Sequence, residues 1–531
     1  MSASLCQRSF IVLFVALLSG HTTVSAADAG DRLARQRASF AEAFPAAELG
    51  DWGPVEERQE LLSDYILWPD LRAAWLKARL KQDPMDAATE REVLGFLSAN
   101  GSLRLTRDLR YAYALKLASM GRLSDYLSLY QQYYQGLEIA KLDCMALEAE
   151  IRAGHLDRIV HRATELWMVG RSQENECGPV FDYLRAQQLL TPESYRERYA
   201  LAIDAREFAL ARYLSGPLEP RYRVEATRWL EARDNPSVFL ASHATRADDA
   251  THRRQLAYAI EQLAYEDPDT AAVAWRNVRD AYAFSDDQVA ATSRHLALWS
   301  ARRHSLLALD GLLDLPPAAI DTEVRRWTAR SSLLLHDWRR VIDSISAMPQ
   351  SEQAAEEWQY WHAHALRNIA QDEHALSILH DLSARRSYYG FLAADDLGVD
   401  YTFGHLAVVE DPAVIAALEA NPALVRAREL FLVGQESKGR SEWDAVVDHL
   451  SSPEKTQAAL LAHRWGWHSR AISSVASAGE YDDLDIRYPL AYEEFFERSA
   501  SDTGIAPSWA YSIARNESHF MSDVRSGAGA V

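Results

Sequence analysis

The chain has 531 residues, 48% of them apolar and 25% charged, and both fractions are ordinary for a globular protein, which argues against a disordered or fibrous chain. At about 150 residues per domain the length allows roughly three domains. Acidic residues outnumber basic ones by 76 to 56, for a formal charge of −20; a field of that sign repels phosphate backbones and argues against nucleic acid as a partner.

The first 26 residues read as a secretory signal. Arg8 gives a short basic region, Ser9 to Ser19 an apolar run too short to span a bilayer comfortably, and Val24-Ser25-Ala26 the small residues needed for cleavage after Ala26. A retained membrane anchor is the other reading of the same run. No later stretch approaches about 18 consecutive apolar residues, so no transmembrane segment is expected in the mature chain.

From about residue 30 to 400 the pattern is helical. Leu123, Tyr126, Leu127 and Tyr130 form one i, i+3, i+4, i+7 stripe; Leu156, Ile159, Val160, Ala163 and Trp167 form another; Trp338, Val341, Ile342 and Ile345 form a third. Each stripe follows a short polar turn. Gly121 and Gly154 stand 33 residues apart, close to the period of helix-turn-helix solenoid repeats. One helical hairpin cannot bury its own stripe, so neighbours are expected to stack into a continuous array. Cys144 and Cys177 share the 33-residue spacing and would occupy similar places in consecutive hairpins. In a secreted chain such a pair reads as a disulfide, or else as two buried thiols. Without a CxxC pair, a cysteine zinc site is not supported. The aromatics of Tyr65 to Leu80 and Trp358 to Leu366 read as core anchors.

The array changes character at Arg385 to Gly398 and is followed by a β-like piece, Tyr401-Thr402-Phe403. Helical patterning resumes at Ala416 to Leu430 and Ser441 to Leu450, and Tyr481 to Asp485 forms a charged junction. The expected organisation is all-α: signal 1–26, a helical-hairpin superhelix 27–401, a small helical linker domain 402–485, and a last segment 486–531.

Three motifs carry little chemistry. Gly434 to Ser441 has phosphate-loop spacing, but Arg440 stands where the lysine is needed, and the flanks read as helix, turn, helix. His362 and His364 are i, i+2 and point to different sides of a helix. His463 and His468 are five apart. No metal and no cofactor are expected.

The informative stretch is Ala506 to Val531. Pro507 suits the first position of a helix. Trp509, Ile513 and Glu517 then follow at successive i, i+4 positions, with Phe520 three further on. Glu517 therefore falls on an apolar face, where burial would disfavour its charged form and suit it to hold a proton as a general acid. The alternative is a partly exposed helix residue of no consequence.

The run Ile513-Ala-Arg-Asn-Glu-Ser-His-Phe520 has an Arg two residues before a Glu-Ser pair and an aromatic two after it. A Ser-x-x-Gly-Ala element, Ser526 to Ala530, follows. This pattern resembles the start of the catalytic domain of the soluble lytic murein transglycosylases, which group with the goose-type lysozymes. Arg487 to Tyr492, Leu166 to Cys177, Tyr388 to Gly398 and Ser441 to Trp443 resemble that family's domain entry, superhelix and linker; the Leu166 to Cys177 likeness includes the second cysteine of a disulfide. The resemblance implies a periplasmic enzyme that acts on peptidoglycan glycan strands beside proteins of cell-wall synthesis. It would cleave the β-1,4 bond between N-acetylmuramic acid and N-acetylglucosamine and leave a 1,6-anhydro end. Glu517 would match the single catalytic acid/base, and Ser518 the serine that positions the carboxyl or the substrate's acetamido group. Most glycosidases need two carboxylates, but a tethered C6 hydroxyl attacks at high effective concentration and needs no activated water. The family's pattern continues into Gly-Leu-Met-Gln, whereas this chain stops at Val531. The 531-residue polypeptide is therefore expected to be inactive and its full-length parent active. Two readings compete: a non-catalytic helical scaffold that binds cell-wall glycan or partner proteins, and a plain hydrolase that leaves reducing ends.

Overall fold

The computed structural model describes residues 26–156, 159–243, 246–525 and 529, and among them it is all-α, without a strand. The signal reading lies outside the described residues apart from Ala26, as do Ser526 and Ala530 of the C-terminal motif. Contacts group the chain into two units, one of residues up to Gly121 with those from His405 onward, the other of Arg122–Gly404. Helices before residue 121 thus share a unit with segments that linear reading sets apart from them.

The unit Arg122–Gly404 is a run of helices, each packed on its neighbours in sequence. Local chemistry sets the starts. Asp249, Asp321 and Asp337 each accept a backbone N–H in the first turn of the helix that follows, and Ser285 with Gln288 forms a reciprocal capping box; such caps satisfy donors that a helix cannot pair internally. Apolar faces then pack: Phe208 stacks on Trp229 with ring centroids 5.2 Å apart, and Tyr258 meets Phe208 edge-on at 5.1 Å. Trp358 is buried, in line with its reading as an anchor, and so is Trp167 of the second stripe. The second stripe is shifted from its expected line. Ile159, Ala163, Leu166 and Trp167 are buried, whereas Leu156 and Val160 are exposed, because the helix begins only at Ile159 and turns its 163–166–167 side inward. A disulfide joins Cys144, on the helix Ala140–Ala153, to Cys177 in the turn Asn175–Cys177.

The β-like reading of Tyr401 to Phe403 is corrected. The segment has no regular secondary structure and pairs with no strand. Tyr401 and Phe403 instead lay their rings against Phe391, at 4.9 and 5.7 Å, and the Tyr401 hydroxyl donates to Asp395 at 2.7 Å. The β-branched and aromatic residues serve side-chain packing there, not a ladder. His364 lies 2.9 Å from both the Tyr360 hydroxyl and Asp396, while His362 faces His374. The two histidines thus diverge, and among the described residues no group of three potential ligands could hold a metal.

In the other unit the helix Ala26–Glu48 packs on Trp68–Arg79. Phe40, Phe44, Leu62, Tyr65 and Leu71 form a core that also takes in Leu430 from the helix Pro422–Leu432. That helix carries two buried charges on one side. Glu429 accepts from Arg37 at 2.7 and 2.8 Å and from the Tyr65 hydroxyl at 2.8 Å. Arg426 donates to Asp70 at 2.8 Å, to Glu442 at 3.3 Å and to the Ile66 carbonyl at 3.2 Å. Burial pushes the Asp70 carboxyl up, and the Arg426 guanidinium pulls it back. Gly434, at φ +77°, ends this helix and lets Glu436–Val447 begin. The Gly434 to Ser441 stretch is therefore helix, turn, helix. Beyond it, Trp443 and Trp467 fill a second core, where the Trp443 indole N–H donates to Ser474 at 3.1 Å.

Two stability outcomes follow. Arg426→Leu strands Asp70 and Glu442 in the interior and is expected to cost about 3–5 kcal/mol, read as a fall in the urea midpoint; an unchanged midpoint would contradict the role given to this cluster. Opening the disulfide by Cys144→Ala and Cys177→Ala frees a loop of 33 residues and is expected to cost about 3–4 kcal/mol in unfolded-chain entropy, read as a lower melting temperature that no longer responds to reductant.

Candidate active site

The site is built by two helices, Glu493–Thr503 and Pro507–Ser518. The first ends at Gly504, whose φ of +72° reverses the chain. Pro507 then opens the second helix with its ring in the first turn, where a missing N–H costs nothing. Phe496 stacks on Tyr511 at 4.4 Å, which sets the two helices face to face.

The second helix stops sharply. His519 and Phe520, at φ +48° and +64°, both take left-handed backbone directly after Ser518. Neither is a glycine, and a side chain in that region costs about 1–2 kcal/mol per residue. Packing offsets the cost. The reversal drops Phe520 into a small core with Ile472 and Ala491, beside Phe496, Tyr511 and Ala514, where it is 9% exposed. His468 lies against the same ring, at 6.3 Å between centroids.

The residues after the turn are tied to the helix Glu436–Val447. Ser522 donates to Glu436 at 2.9 Å, and Arg440 donates to both oxygens of Asp523 at 2.7 and 3.0 Å. That guanidinium holds the Asp523 carboxyl below the usual carboxylate range. Before the turn, Arg515 anchors the other side: its Nε donates to the Arg487 carbonyl at 2.7 Å, and its guanidinium lies 4.4 Å over the Tyr488 ring.

Glu517 is held at the end of this braced helix with its carboxylate exposed and, among the described residues, without a hydrogen-bond partner. This corrects the expectation that burial would hold the carboxyl on its apolar face. Trp509 and Ile513, its companions at i−8 and i−4, are themselves 59% and 47% exposed. The helix packs through Tyr511 and Ala514 against Phe520 instead, so the Trp509–Ile513–Glu517 face is open. The Ser518 hydroxyl donates to the Ala514 carbonyl at 2.9 Å and makes no contact with Glu517. Chemically, the arrangement offers one carboxyl beside an open apolar strip, steadied from both flanks. Residues that sequence reasoning passed over do the steadying. Arg440 and Glu436 lie more than eighty positions from their partners, and no local pattern announces such pairs.

His468 and His519 are pushed below the usual histidine value, in both cases chiefly by burial, with Arg515 and Arg470 adding repulsion at His519. The unfolded chain therefore takes up protons first as pH falls below about 6.5. The stability of this turn is expected to be full above that value and to decline as the solution is acidified. Melting at about pH 7 and pH 5 should show the decline, and His468→Phe should reduce it; an equal decline in both proteins would contradict this account.

Residues 417–484 match the family model described as the soluble lytic murein transglycosylase L domain. A soluble lytic murein transglycosylase of Escherichia coli is 28% identical over 512 residues, covering 96% of this chain and 77% of that protein. Among solved structures, the 70 kDa soluble lytic transglycosylase of Escherichia coli aligns with a TM-score of 0.77 at 26% identity, over 94% of this chain and 79% of the other. An inactive glutamate-to-glutamine mutant of lytic transglycosylase Slt from Pseudomonas aeruginosa aligns with a TM-score of 0.71 at 29% identity, over 92% and 79%. The resemblance to the soluble lytic murein transglycosylase family is thus supported by a family model and by relatives that align along most of the chain.

Proposed function

We propose that this chain carries the catalytic acid/base of a peptidoglycan lytic transglycosylase, and that the residue is Glu517. The observation that carries the reading is the placement of Glu517. It stands at the end of a helix whose last turn is braced by Arg515, Phe520 and Asp523, with its carboxyl free to meet a ligand. The Pseudomonas neighbour, inactive with a glutamate changed to glutamine, supports giving one carboxylate the central part.

In this mechanism Glu517 protonates the glycosidic oxygen between N-acetylmuramic acid and N-acetylglucosamine as that bond breaks. It then removes the proton from the muramic C6 hydroxyl as that oxygen closes on the anomeric carbon. The product is a 1,6-anhydro sugar, and no water enters. Intramolecular attack supplies the proximity that a second carboxylate and a bound water provide elsewhere. Ser518 lies next to Glu517 and holds the end of the helix through Ala514; turning that hydroxyl outward would bring it to the substrate's acetamido group.

The same reading places the protein in the periplasm, delivered by a signal cleaved after Ala26, with peptidoglycan strands as its partner. No helix among the described residues is long and apolar enough to cross a membrane. Its domain limits would be 27–401 for the superhelix, 402–485 for the linker and 486–531 for the start of the catalytic part; the matched L-domain residues 417–484 fall inside the second.

Isolated sacculi digested by the intact enzyme, beside a Glu517→Gln version, test the assignment. Anhydro-muropeptide release is expected to fall by at least about a hundredfold in the variant. Equal release from both would sink the catalytic role, and reducing ends in the products would turn the reading to hydrolysis.

A further inference from the structure

A cavity of about 570 Å³ opens among the helices Trp68–Arg79, Leu105–Ser119 and Glu436–Val447, all within one unit of the chain. Its size lies in the range of small-ligand pockets. Its charge is unlike that of the rest of the protein. Lys77, Lys81, Arg104, Arg107 and Lys438 all line it, and none of them has a carboxylate partner at ion-pair distance among the described residues. Elsewhere in this acidic chain, arginines such as Arg294, Arg325 and Arg464 are paired. The sixth cation at the cavity, Arg426, is committed to Asp70 and Glu442.

Cations outnumber carboxylates around the concavity; Lys438 is repelled by Lys77 and attracted by Glu48, Asp70 and Asp108, and the cations not held at ion-pair distance are open to a bound anion. The Lys438 ammonium is already positioned, 4.2 Å over the Phe44 ring. The walls also set limits on the anion. Glu48 and Asp108 line the same space and disfavour a compact polyanion, but they can receive an ammonium. Ala74, Ala78 and Leu105 supply an apolar strip on which methylene groups can lie.

We propose that this cavity binds a short peptide bearing at least two carboxylates and an amino group, the chemistry of the peptide portion of peptidoglycan. The inference rests on the reading of the chain as acting on that polymer, and it assigns the peptide a site separate from the Glu517 carboxyl. The cations take the carboxylates, Glu48 and Asp108 take the amine, and the alanine and leucine side chains take the aliphatic stem. The site would read peptide composition while the catalytic helix reads sugar.

Calorimetric titration of the 531-residue chain with a synthetic acidic tripeptide, carrying two free carboxylates and a free amine, tests the proposal. Saturable binding is expected, weakening as salt is raised and at least about tenfold weaker for the same peptide with its carboxylates amidated. The paired variant Arg104→Ala, Arg107→Ala, at two exposed positions, is expected to lose a similar factor with an unchanged circular-dichroism melt, and Lys81→Glu provides a second probe if that pair fails to fold. The proposal is overturned if the tripeptide does not bind, if neither variant weakens it, or if inorganic phosphate binds as tightly. Sacculus digestion by the intact enzyme separates the two readings. Glu517-dependent digestion without peptide binding removes the cavity and leaves the enzyme; peptide binding without Glu517-dependent digestion does the reverse.

Discussion

The unit that carries the helix Pro507–Ser518 depends on charges that have no solvent to fall back on. Arg426 and Glu429 lie one turn apart on a single helix, and both are buried. Each has an ion partner far away in sequence, Arg426 in Asp70 at 356 positions and Glu429 in Arg37 at 392. Buried ions of opposite sign hold a geometry because every departure from it exposes one of them to an uncompensated interior. The early helices and the late ones are thus joined by a constraint stiffer than apolar contact alone, which would tolerate sliding.

The helix Glu436–Val447 extends that constraint toward the site. Its Glu442 enters the Arg426 cluster, while Glu436 and Arg440, one turn apart on another side, grip Ser522 and Asp523. One twelve-residue helix therefore connects the buried seam to the turn that follows Glu517. On the far flank, Arg515 reaches the Arg487 carbonyl and closes the brace. The left-handed pair at His519 and Phe520 is sustained by this surround, with the aromatic core of Phe520 as its anchor.

Much of the architecture was legible in sequence because the signals are local. Apolar spacing marked the helices, and Trp358 and Val341 are buried as their periodicity indicated. The 33-residue spacing of Cys144 and Cys177 suggested a bond that the structure contains. What escaped was non-local. Periodicity describes one helix against an average environment, so it put Glu517 on a packed face, although the neighbours of that helix meet its other side. It read Tyr401 to Phe403 as strand, although their rings had a partner in Phe391. The Arg440–Asp523 pair spans 83 residues and leaves no trace in either local pattern. The candidate residue was found through a motif, whereas the residues that hold it became visible only in three dimensions.

The two left-handed residues after the helix Pro507–Ser518 bear on how this protein can vary. Position 520 must supply an aromatic ring to a core and at the same time accept a backbone that most side chains resist. Glycine would ease the backbone and empty the core; a branched aliphatic residue would part-fill the core and oppose the backbone. The set of workable residues is therefore narrow for reasons that have nothing to do with sugar. A signature beside a catalytic residue can record the folding of a corner as much as the chemistry next to it.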